Sequence, residues 1–370
     1  MIDFALDDEQ EQLRQAVRSL LSKRAPISGV RRYADDPAIA FDRELWAEMC
    51  AQMGLASLAI PEQYGGSGFG FVAQAVVLEE MGRVVYPGPY FSSAVLAAQV
   101  ILAAGTEEAR GRLLPGIASG EVVATVAAVE SERRFALECA GTTTDGVTVS
   151  GVKVAVPDAR WADVFVVYAT GPDGPGLYEV AASAPGVTVA VLEPLDPSRP
   201  VATVTFDGAP VQLIASGTDV VADLQRGFDI AAIGLACEQA GTAATALHMA
   251  TEYAKARQQF GRPIGSFQAL KHMLADVYVD NESAWSAAFY GAWAVDHAPS
   301  EVPMVAPLAS AFASDTLVSA AETNVQVHGG IGFTWEHDAQ FPVRRAFGSR
   351  QLVGAPDGHR DRIAETLLRA

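Results

Sequence analysis

Residues 324–346, NVQVHGGIGFTWEHDAQFPVRRA, combine backbone freedom with charge inside otherwise helical sequence. The glycines around Gly330 lack a Cβ atom, so the backbone there can approach a ligand closely. Read alone, such a glycine run is a stop between a helix and a loop. His337 and Asp338 could form a metal pair or a proton relay, but no further ligand lies at a suitable spacing, so we expect no metal.

A second segment with chemical potential is residues 253–277, YAKARQQFGRPIGSFQALKHMLADV. Its glycines and proline predict a helix that ends at Gly261 and a second helix with Gln268 in its first turn. Arg257 and Arg262 flank the turn and could meet an anionic ligand. By themselves, two such arginines are typical of a solvated helix end.

Composition restricts the class of protein. The 370 residues suggest two or three domains, and a hydrophobic content of 50% predicts a large core. A net charge of −18 argues against nucleic acid as a partner. The start of the chain resembles no secretory signal, and we find no window of about 20 apolar residues that would span a membrane. Three widely spaced cysteines (Cys50, Cys139 and Cys237) predict reduced thiols in a cytoplasmic protein.

Three regions differ in texture along the chain. Helical periodicity dominates residues 1–120, short β-branched runs follow over 121–215, and long helical patterns return over 216–370. The last region predicts helices over 226–256, 265–297 and 301–327, followed by a C-terminal segment. Helices, then an antiparallel β domain, then a helical half indicate an α+β fold.

The order of the two motifs resembles the acyl-CoA dehydrogenase family. Arg-x-x-Phe-Gly-x-x-Ile-Gly-x-Phe-Gln begins at Arg257, and Gln-x-x-Gly-Gly-x-Gly-Phe begins at Gln326. The stretches LWAEMCAQMGLASLAIPEQYGGSGFGF and VSGVKVAVPDARWADVFVVYA extend the resemblance over nearly the whole chain. It implies an N-terminal helical domain, a middle antiparallel β domain, and a C-terminal four-helix bundle that drives oligomerisation.

In that family the two motifs bind FAD, with its diphosphate and adenine ends held by a neighbouring subunit. By position, Arg257 would pair with the diphosphate, Phe260 would pack on the tail of the flavin, and Gln268 would hydrogen-bond it. Gln326 and Gly330 match the positions that line the adenosine part. The resemblance therefore implies FAD as the cofactor and an acyl-CoA thioester as the substrate.

The residue that should remove the α-proton is not at its usual place. In most of the family a glutamate begins a Glu-Gly-Thr near the C-terminus, and the matching position here is Val353. Other members carry the base on an earlier helix, where this chain has Ala231. The nearest acids are Asp229 and Glu238, and Glu238 lies roughly 10 Å further along the helix. Glu238 is thus the candidate for a relocated base, and the alternative is a polar residue satisfied at a helix interface.

Other departures accompany the missing base. The family's Thr-Glu-Pro-x-x-Gly-Ser-Asp loop should follow VVATVAAV, but the chain reads ESERRFALECAG over residues 130–141. Arg344-Arg345 replaces the usual Arg-Asp. Glu336 fits the family's usual acid and is expected to be a structural ion-pair partner.

Three functions remain open from the sequence. The chain could be a subunit of a heteromeric, FAD-dependent acyl-CoA dehydrogenase that pairs with a base-bearing subunit, as in bacterial enzymes acting on steroid side-chain thioesters. It could instead be a self-sufficient, homo-oligomeric dehydrogenase with Glu238 as base, or a structural or binding protein without flavin. The resemblance admits an electron-transfer flavoprotein as electron acceptor.

Overall fold

A computed structural model describes residues 6–36, 38–130, 137, 141–193 and 195–369. Among these residues helices form both ends of the chain and strands form its middle. The helices are α1 (Asp8–Arg24), α2 (Arg31–Asp35), α3 (Arg43–Ala47), α4 (Phe71–Arg83), α5 (Ala98–Ala104), α6 (Glu107–Ser119), α7 (Val220–Ala256), α8 (Gln268–His297), α9 (Val302–His328), α10 (Gln340–Ser349) and α11 (Pro356–Arg369). A π-helical segment, Phe91–Ala97, precedes α5.

The middle region forms one sheet with the strand order β6-β7-β3-β2-β4-β5-β8. Its strands are β1 (Ala124–Ala127), β2 (Thr143–Thr144), β3 (Thr148–Pro157), β4 (Val164–Gly171), β5 (Gly174–Ala181), β6 (Val187–Val191), β7 (Val201–Pro210) and β8 (Gln212–Ser216). A two-residue pair, β9 (Gln258–Gln259) and β10 (Arg262–Pro263), lies apart from it.

The expectation of a purely antiparallel β domain needs one correction. Most neighbouring strands do run antiparallel, but β1 and β2 each pair with β4 in parallel. Both pairings join strands that are far apart in sequence, and the long connections let the chain return in the same direction. The middle domain is therefore a mixed sheet.

The two helical regions share one hydrophobic core rather than two. α4 crosses α7 at backbone distance, because a Cβ atom on Gly82 would lie 1.9 Å from the carbonyl oxygen of Glu238. At the same crossing a Cβ on Gly241 would lie 2.0 Å from the carbonyl oxygen of Glu79. Small residues thus fix the contact between the N-terminal helices and the bundle.

The C-terminal helices lie close to their expected positions. α7, α8 and α9 pack on one another, and α11 packs on α9 as the short fourth helix of the bundle. α7 ends at Ala256, as the predicted range 226–256 has it, but it begins at Val220 rather than at residue 226. The stop at Gly261 that the motif suggested is wrong. The residues after Ala256 are used for the β9–β10 hairpin, which leaves Gln268 as the first residue of α8.

Two helical segments are long and apolar enough by composition to cross a membrane, although the sequence analysis found no such window. They are Val220–Ala256 and Val302–Phe333. In their most apolar windows, 83% and 67% of the residues are buried inside the protein. Neighbouring elements already cover this apolar surface, so both segments serve as core helices of the bundle.

Candidate functional site

The first motif forms an exposed hairpin at the end of α7. Arg257 caps the helix, and its backbone N–H donates to the carbonyl oxygen of Tyr253 at 2.8 Å. Phe260 and Gly261 form the tip with φ angles of +54° and +75°, as in the two-residue turns of tight hairpins. Phe260 is 89% exposed. A large aromatic side chain on such a tip is available to contact another molecule.

The charge of Arg257 is uncompensated in the described part of the chain. Its side chain is exposed and forms no ion pair with any residue that the structure describes. Gln268, at the start of α8, is exposed as well, and its amide nitrogen contacts Nε2 of His272 at 3.4 Å. These groups can therefore bind a ligand without first breaking a strong internal contact.

The second motif begins on the last turn of α9 and continues into a short 3₁₀ helix, Gly329–Phe333. Gln326 is exposed and lines a groove of about 490 Å³ together with Phe333 and Trp335. Gly329 has a φ of +63°, and no atom lies within 4 Å of a Cβ built on Gly330. The backbone of this loop is therefore open to an incoming group.

The two motifs meet at one end of the bundle. Val327 from α9 packs in a small core with Ala254 from α7 and with Leu270 from α8. The rings of Tyr253 and His328 lie 4.3 Å apart, and the rings of His328 and His337 lie 4.4 Å apart. These ring contacts pack against the start of the glycine loop and connect it to the end of α7.

His328 also forms a hydrogen bond with the backbone of α9. Its Nδ1 lies 2.8 Å from the carbonyl oxygen of Asn324, to which it can only donate. Burial and the nearby His337 lower the pKa of His328, while the contact with Asn324 opposes them. A neutral imidazole is thus placed directly before Gly329.

The donor set of this end of the bundle fits the ADP part of FAD. It offers an unpaired guanidinium at Arg257 for a diphosphate, and side-chain amides at Gln268 and Gln326 for the sugar or base. The backbone at Gly330 is accessible, and Phe260 supplies an apolar surface. Whether FAD is bound remains a prediction of the sequence analysis.

Both usual positions of the base hold apolar side chains inside the main core. Val353 is 3% exposed, between α10 and α11, and Ala231 is fully buried on α7. A cavity of about 600 Å³ adjoins Val353. It is lined by Gln225, Arg362 and other residues of α11, and Arg362 forms a bidentate pair with Asp229 at 2.8 and 2.9 Å.

Glu238, the candidate for a relocated base, is a member of a buried ion-pair network. It is 2% exposed, and its carboxylate accepts from Nη2 of Arg199 at 2.6 Å and from Nη1 of Arg345. Burial alone would raise the pKa of Glu238, but the charges of Arg199 and Arg345 outweigh burial and lower it. The structure therefore places Glu238 at a helix interface, with both carboxylate oxygens occupied.

Sequence reasoning did not identify the partners of Glu238. Arg345 also donates through Nε to Asp196 at 2.5 Å and through Nη2 to Ser198 at 2.7 Å. Asp196 and Arg199 lie in the loop between β6 and β7, which carried no recognisable motif. The one available signal was Arg345, which stands where the family usually has an aspartate. Once such an arginine is buried, it needs acidic partners.

The expected role of Glu336 is taken by a neighbour. Glu336 is exposed, and only its backbone carbonyl accepts from Arg31, at 3.2 Å. The carboxylate that pairs with Arg31 belongs to Asp338, at 2.7 Å. Asp338 therefore connects α2 to the segment before α10. The ion-pair partner lies two residues after the predicted Glu336.

The altered loop of the β domain lies largely outside the described residues, which omit 131–136 and 138–140. Its two ends are held together by Glu130, which accepts from the backbone N–H groups of Gly141 and Thr142 at 2.9 Å. Glu130 also pairs with the buried amine of Lys153 at 2.7 Å. Cys139 falls in the same gap, whereas Cys50 and Cys237 are free and buried.

Comparison with known proteins places the chain in a family. Residues 7–121 match the family model "Acyl-CoA dehydrogenase, N-terminal domain", and residues 217–368 match "Acyl-CoA dehydrogenase, C-terminal domain". The acyl-CoA dehydrogenase IpdE2 of Mycolicibacterium smegmatis is 35% identical over 351 residues, which cover 95% of this chain and 96% of that protein.

One chain from each of two solved structures is similar to this chain over nearly its whole length. One structure is the ChsE4-ChsE5 complex from Mycobacterium tuberculosis, where the TM-score is 0.89, the identity is 29%, and the match covers 100% of this chain and 100% of the matched chain. The other is a variant of the Tcur3481-Tcur3483 steroid acyl-CoA dehydrogenase, with a TM-score of 0.86, 31% identity and 98% coverage of each chain. The chain belongs to the acyl-CoA dehydrogenase family of flavoprotein oxidoreductases.

Proposed function

We propose that this chain is the subunit of a heteromeric acyl-CoA dehydrogenase that lacks the catalytic carboxylate. The observation that carries the proposal is a contrast between two sites. The groups suited to the ADP part of FAD are exposed, and Arg257 forms no ion pair with a described residue, whereas Val353 and Ala231 fill both usual base positions with buried apolar side chains. The chain retains a cofactor half-site and lacks the means to remove a proton.

The reaction is the α,β-dehydrogenation of an acyl-CoA thioester. When bound, FAD supplies the hydride acceptor. In the proposed assembly Arg257 binds the diphosphate, Gln326 and the backbone of Gly330 hold the adenosine end, and Gln268 and Phe260 hold the intervening tail. A carboxylate of the second subunit removes the α-proton.

The self-sufficient alternative, with Glu238 as base, is disfavoured by the contacts of that residue. A general base must come within hydrogen-bond reach of its proton, directly or through one water molecule. Glu238 is 2% exposed, and two guanidiniums occupy its oxygens and lower its pKa. Freeing it would leave the buried Arg199 without its carboxylate partner and would remove one of the two carboxylates that pair with Arg345. A flavin-free structural role is disfavoured by the uncompensated charge of Arg257.

The similar assemblies support a substrate class and a form of assembly. One is a two-component complex, and the other is named as a steroid acyl-CoA dehydrogenase. We infer that the partner is a second acyl-CoA dehydrogenase subunit and that the acyl group derives from a steroid. The two free, buried cysteines among the described residues fit the reducing conditions of the cytoplasm. An electron-transfer flavoprotein is the proposed electron acceptor.

The half-site can be tested by flavin content. We expect the chain purified alone to contain little FAD, and the chain co-purified with its partner to contain FAD, because the partner must supply the flavin-ring half. Arg257→Ala in the complex should lower the bound flavin at least about tenfold, since a charge-assisted contact to the diphosphate is lost. Absorbance of flavin released from purified protein gives the stoichiometry.

Arg226→Ala is the matched control, because Arg226 is also exposed on α7 but lies near its opposite end. It should leave flavin content unchanged. Full flavin occupancy in the Arg257→Ala complex would show that the half-site has been assigned to the wrong residues. Full occupancy and turnover in the chain alone would instead favour the self-sufficient enzyme.

A further inference from the structure

Five ionisable side chains are buried together where the three regions of the chain meet. Asp158 follows β3, Asp196 and Arg199 lie between β6 and β7, Glu238 lies on α7, and Arg345 lies on α10. All five are at most 6% exposed. A buried charge is costly unless it is paired, so the charges of such a cluster should balance.

Four of the five balance one another. Arg345 pairs with Asp196 at 2.5 Å and with Glu238, and Arg199 pairs with Glu238 at 2.6 Å. Two arginines therefore neutralise two carboxylates. Asp158 is the fifth member, and as a carboxylate it would give the cluster an excess negative charge.

The contacts of Asp158 are those of a carboxyl group without a full set of donors. Oδ2 lies 2.7 Å from Oγ of Ser92, in the π-helical segment. Oδ1 is buried and has no hydrogen-bond partner among the described residues, and the same holds for Nη1 of Arg199. A buried carboxylate usually accepts several hydrogen bonds, so this environment suits an ionised Asp158 poorly.

The hydrogens available around Ser92 lead to the same conclusion. Its Oγ lies 3.1 Å from the carbonyl oxygen of Pro89 and 2.7 Å from Oδ2 of Asp158. The hydroxyl has one hydrogen and cannot donate to both oxygens. If Asp158 carries a proton on Oδ2, it donates to Ser92, and Ser92 donates to Pro89, so both contacts become hydrogen bonds.

We propose that Asp158 is held as a neutral carboxylic acid at this junction and that its ionisation draws Arg199 away from Glu238. Nη1 of Arg199 is the unpartnered donor that an ionised Asp158 would attract. The contact between Arg199 and Glu238 links the loop of the β domain to α7. Ionisation of Asp158 would therefore loosen the contact between the sheet and the bundle.

The groups around Asp158 set the pH at which this occurs. Burial raises the pKa of Asp158 to about 7, and Glu238 on α7 adds to the increase. Arg199, Ser92 and Arg345 act in the opposite direction. Tyr86 lies beside the cluster, because its backbone carbonyl accepts from Arg345. Burial raises the pKa of the Tyr86 hydroxyl, and an ionised Asp158 would raise it further. Asp158 therefore ionises within the range of ordinary cellular pH.

The expected dependence of stability on pH has a definite sign. The unfolded chain releases the proton of Asp158 near pH 3.9, whereas the folded chain releases it near 7. Asp158 thus contributes stability that is full below about pH 3.9 and is lost as pH rises through about 7. Asn in place of Asp cannot ionise, and it can still donate to Ser92.

The test is thermal unfolding of the full chain between about pH 5 and about pH 8. We expect the Tm of Asp158→Asn, relative to the wild type, to rise by at least about 2 °C across this range. Asp207→Asn, at an exposed position on β7, is the matched control and should run parallel to the wild type.

The proton itself can be read by infrared spectroscopy of a chain labelled with ¹³C at aspartate side chains. A carboxylic acid band should be present at about pH 6 and lose intensity through about pH 7. It should be absent in Asp158→Asn. Asp158→Glu is a second variant in case the amide does not fold, because it keeps an acid but removes the labelled group. Parallel unfolding curves, or a band unchanged in both variants, would show that Asp158 is ionised in the fold and would overturn the proposal.

Discussion

At the scale of single residues, one substitution at Glu238 distinguishes a structural acid from a catalytic base. Glu238→Gln keeps the shape but removes the charge that balances Arg199 and Arg345. Breaking a buried ion pair on one side costs about 3–5 kcal/mol, so we expect a large loss of stability. Because the lowered pKa of Glu238 makes its contribution disappear as pH falls, the difference from the wild type should shrink in acid.

The activity of folded Glu238→Gln complex should remain within roughly tenfold of the parent complex, because loss of a true base costs 10² to 10⁴-fold or more. Glu252→Gln is the matched control, since Glu252 lies on the same helix but pairs with Lys255 at the surface. It should change neither stability nor rate. A thousandfold loss of rate in Glu238→Gln, with flavin content and folding intact, would make Glu238 the base.

At the scale of elements, the connection between α10 and α11 decides whether a base could be restored. Val353 is 3% exposed within the core that the helices share. Val353→Glu therefore buries a carboxylate among apolar side chains, which raises its pKa and destabilises the fold. We expect no dehydrogenation by the isolated variant in an assay of flavin reduction by acyl-CoA.

Val353→Gln tests the shape of the same side chain without its charge. It should destabilise the chain less than Val353→Glu does at neutral pH, since an amide is cheaper to bury than an ionised carboxylate. If the isolated Val353→Glu chain dehydrogenates a thioester while Val353→Gln does not, the chain holds a complete active site that lacks only its base. That outcome would remove the need for a partner.

At the scale of the whole molecule, exposed apolar side chains on the bundle indicate assembly. Tyr278 and Val279 on α8 are 55% and 60% exposed, and Leu308 and Phe312 on α9 are 46% and 39% exposed. Covering these residues removes apolar surface from water, so we expect a dimer or tetramer. Light scattering at micromolar concentration should report it, and Arg257→Ala should leave it unchanged. A monodisperse monomer would contradict this prediction.

The sequence by itself determined the family, the order of helical and β regions, and which positions differ from the family's pattern. These properties depend on local periodicity and on motif spacing, both of which can be read along the chain. The long helices lay close to their predicted bounds, including the end of α7 at Ala256. The motif-based stop at Gly261 was wrong because composition does not distinguish the hairpin tip at Phe260 from a helical turn.

Only the tertiary structure decided what the buried charges do. Glu238, Arg199 and Arg345 are at least 39 residues apart from one another in sequence, and no local pattern connects them. Their pairing depends on where the loop between β6 and β7 meets α7 and α10 in space. The same holds for the parallel pairing of β1 with β4 and for the neutral environment of Asp158, because burial and the distance between charges are properties of the folded chain.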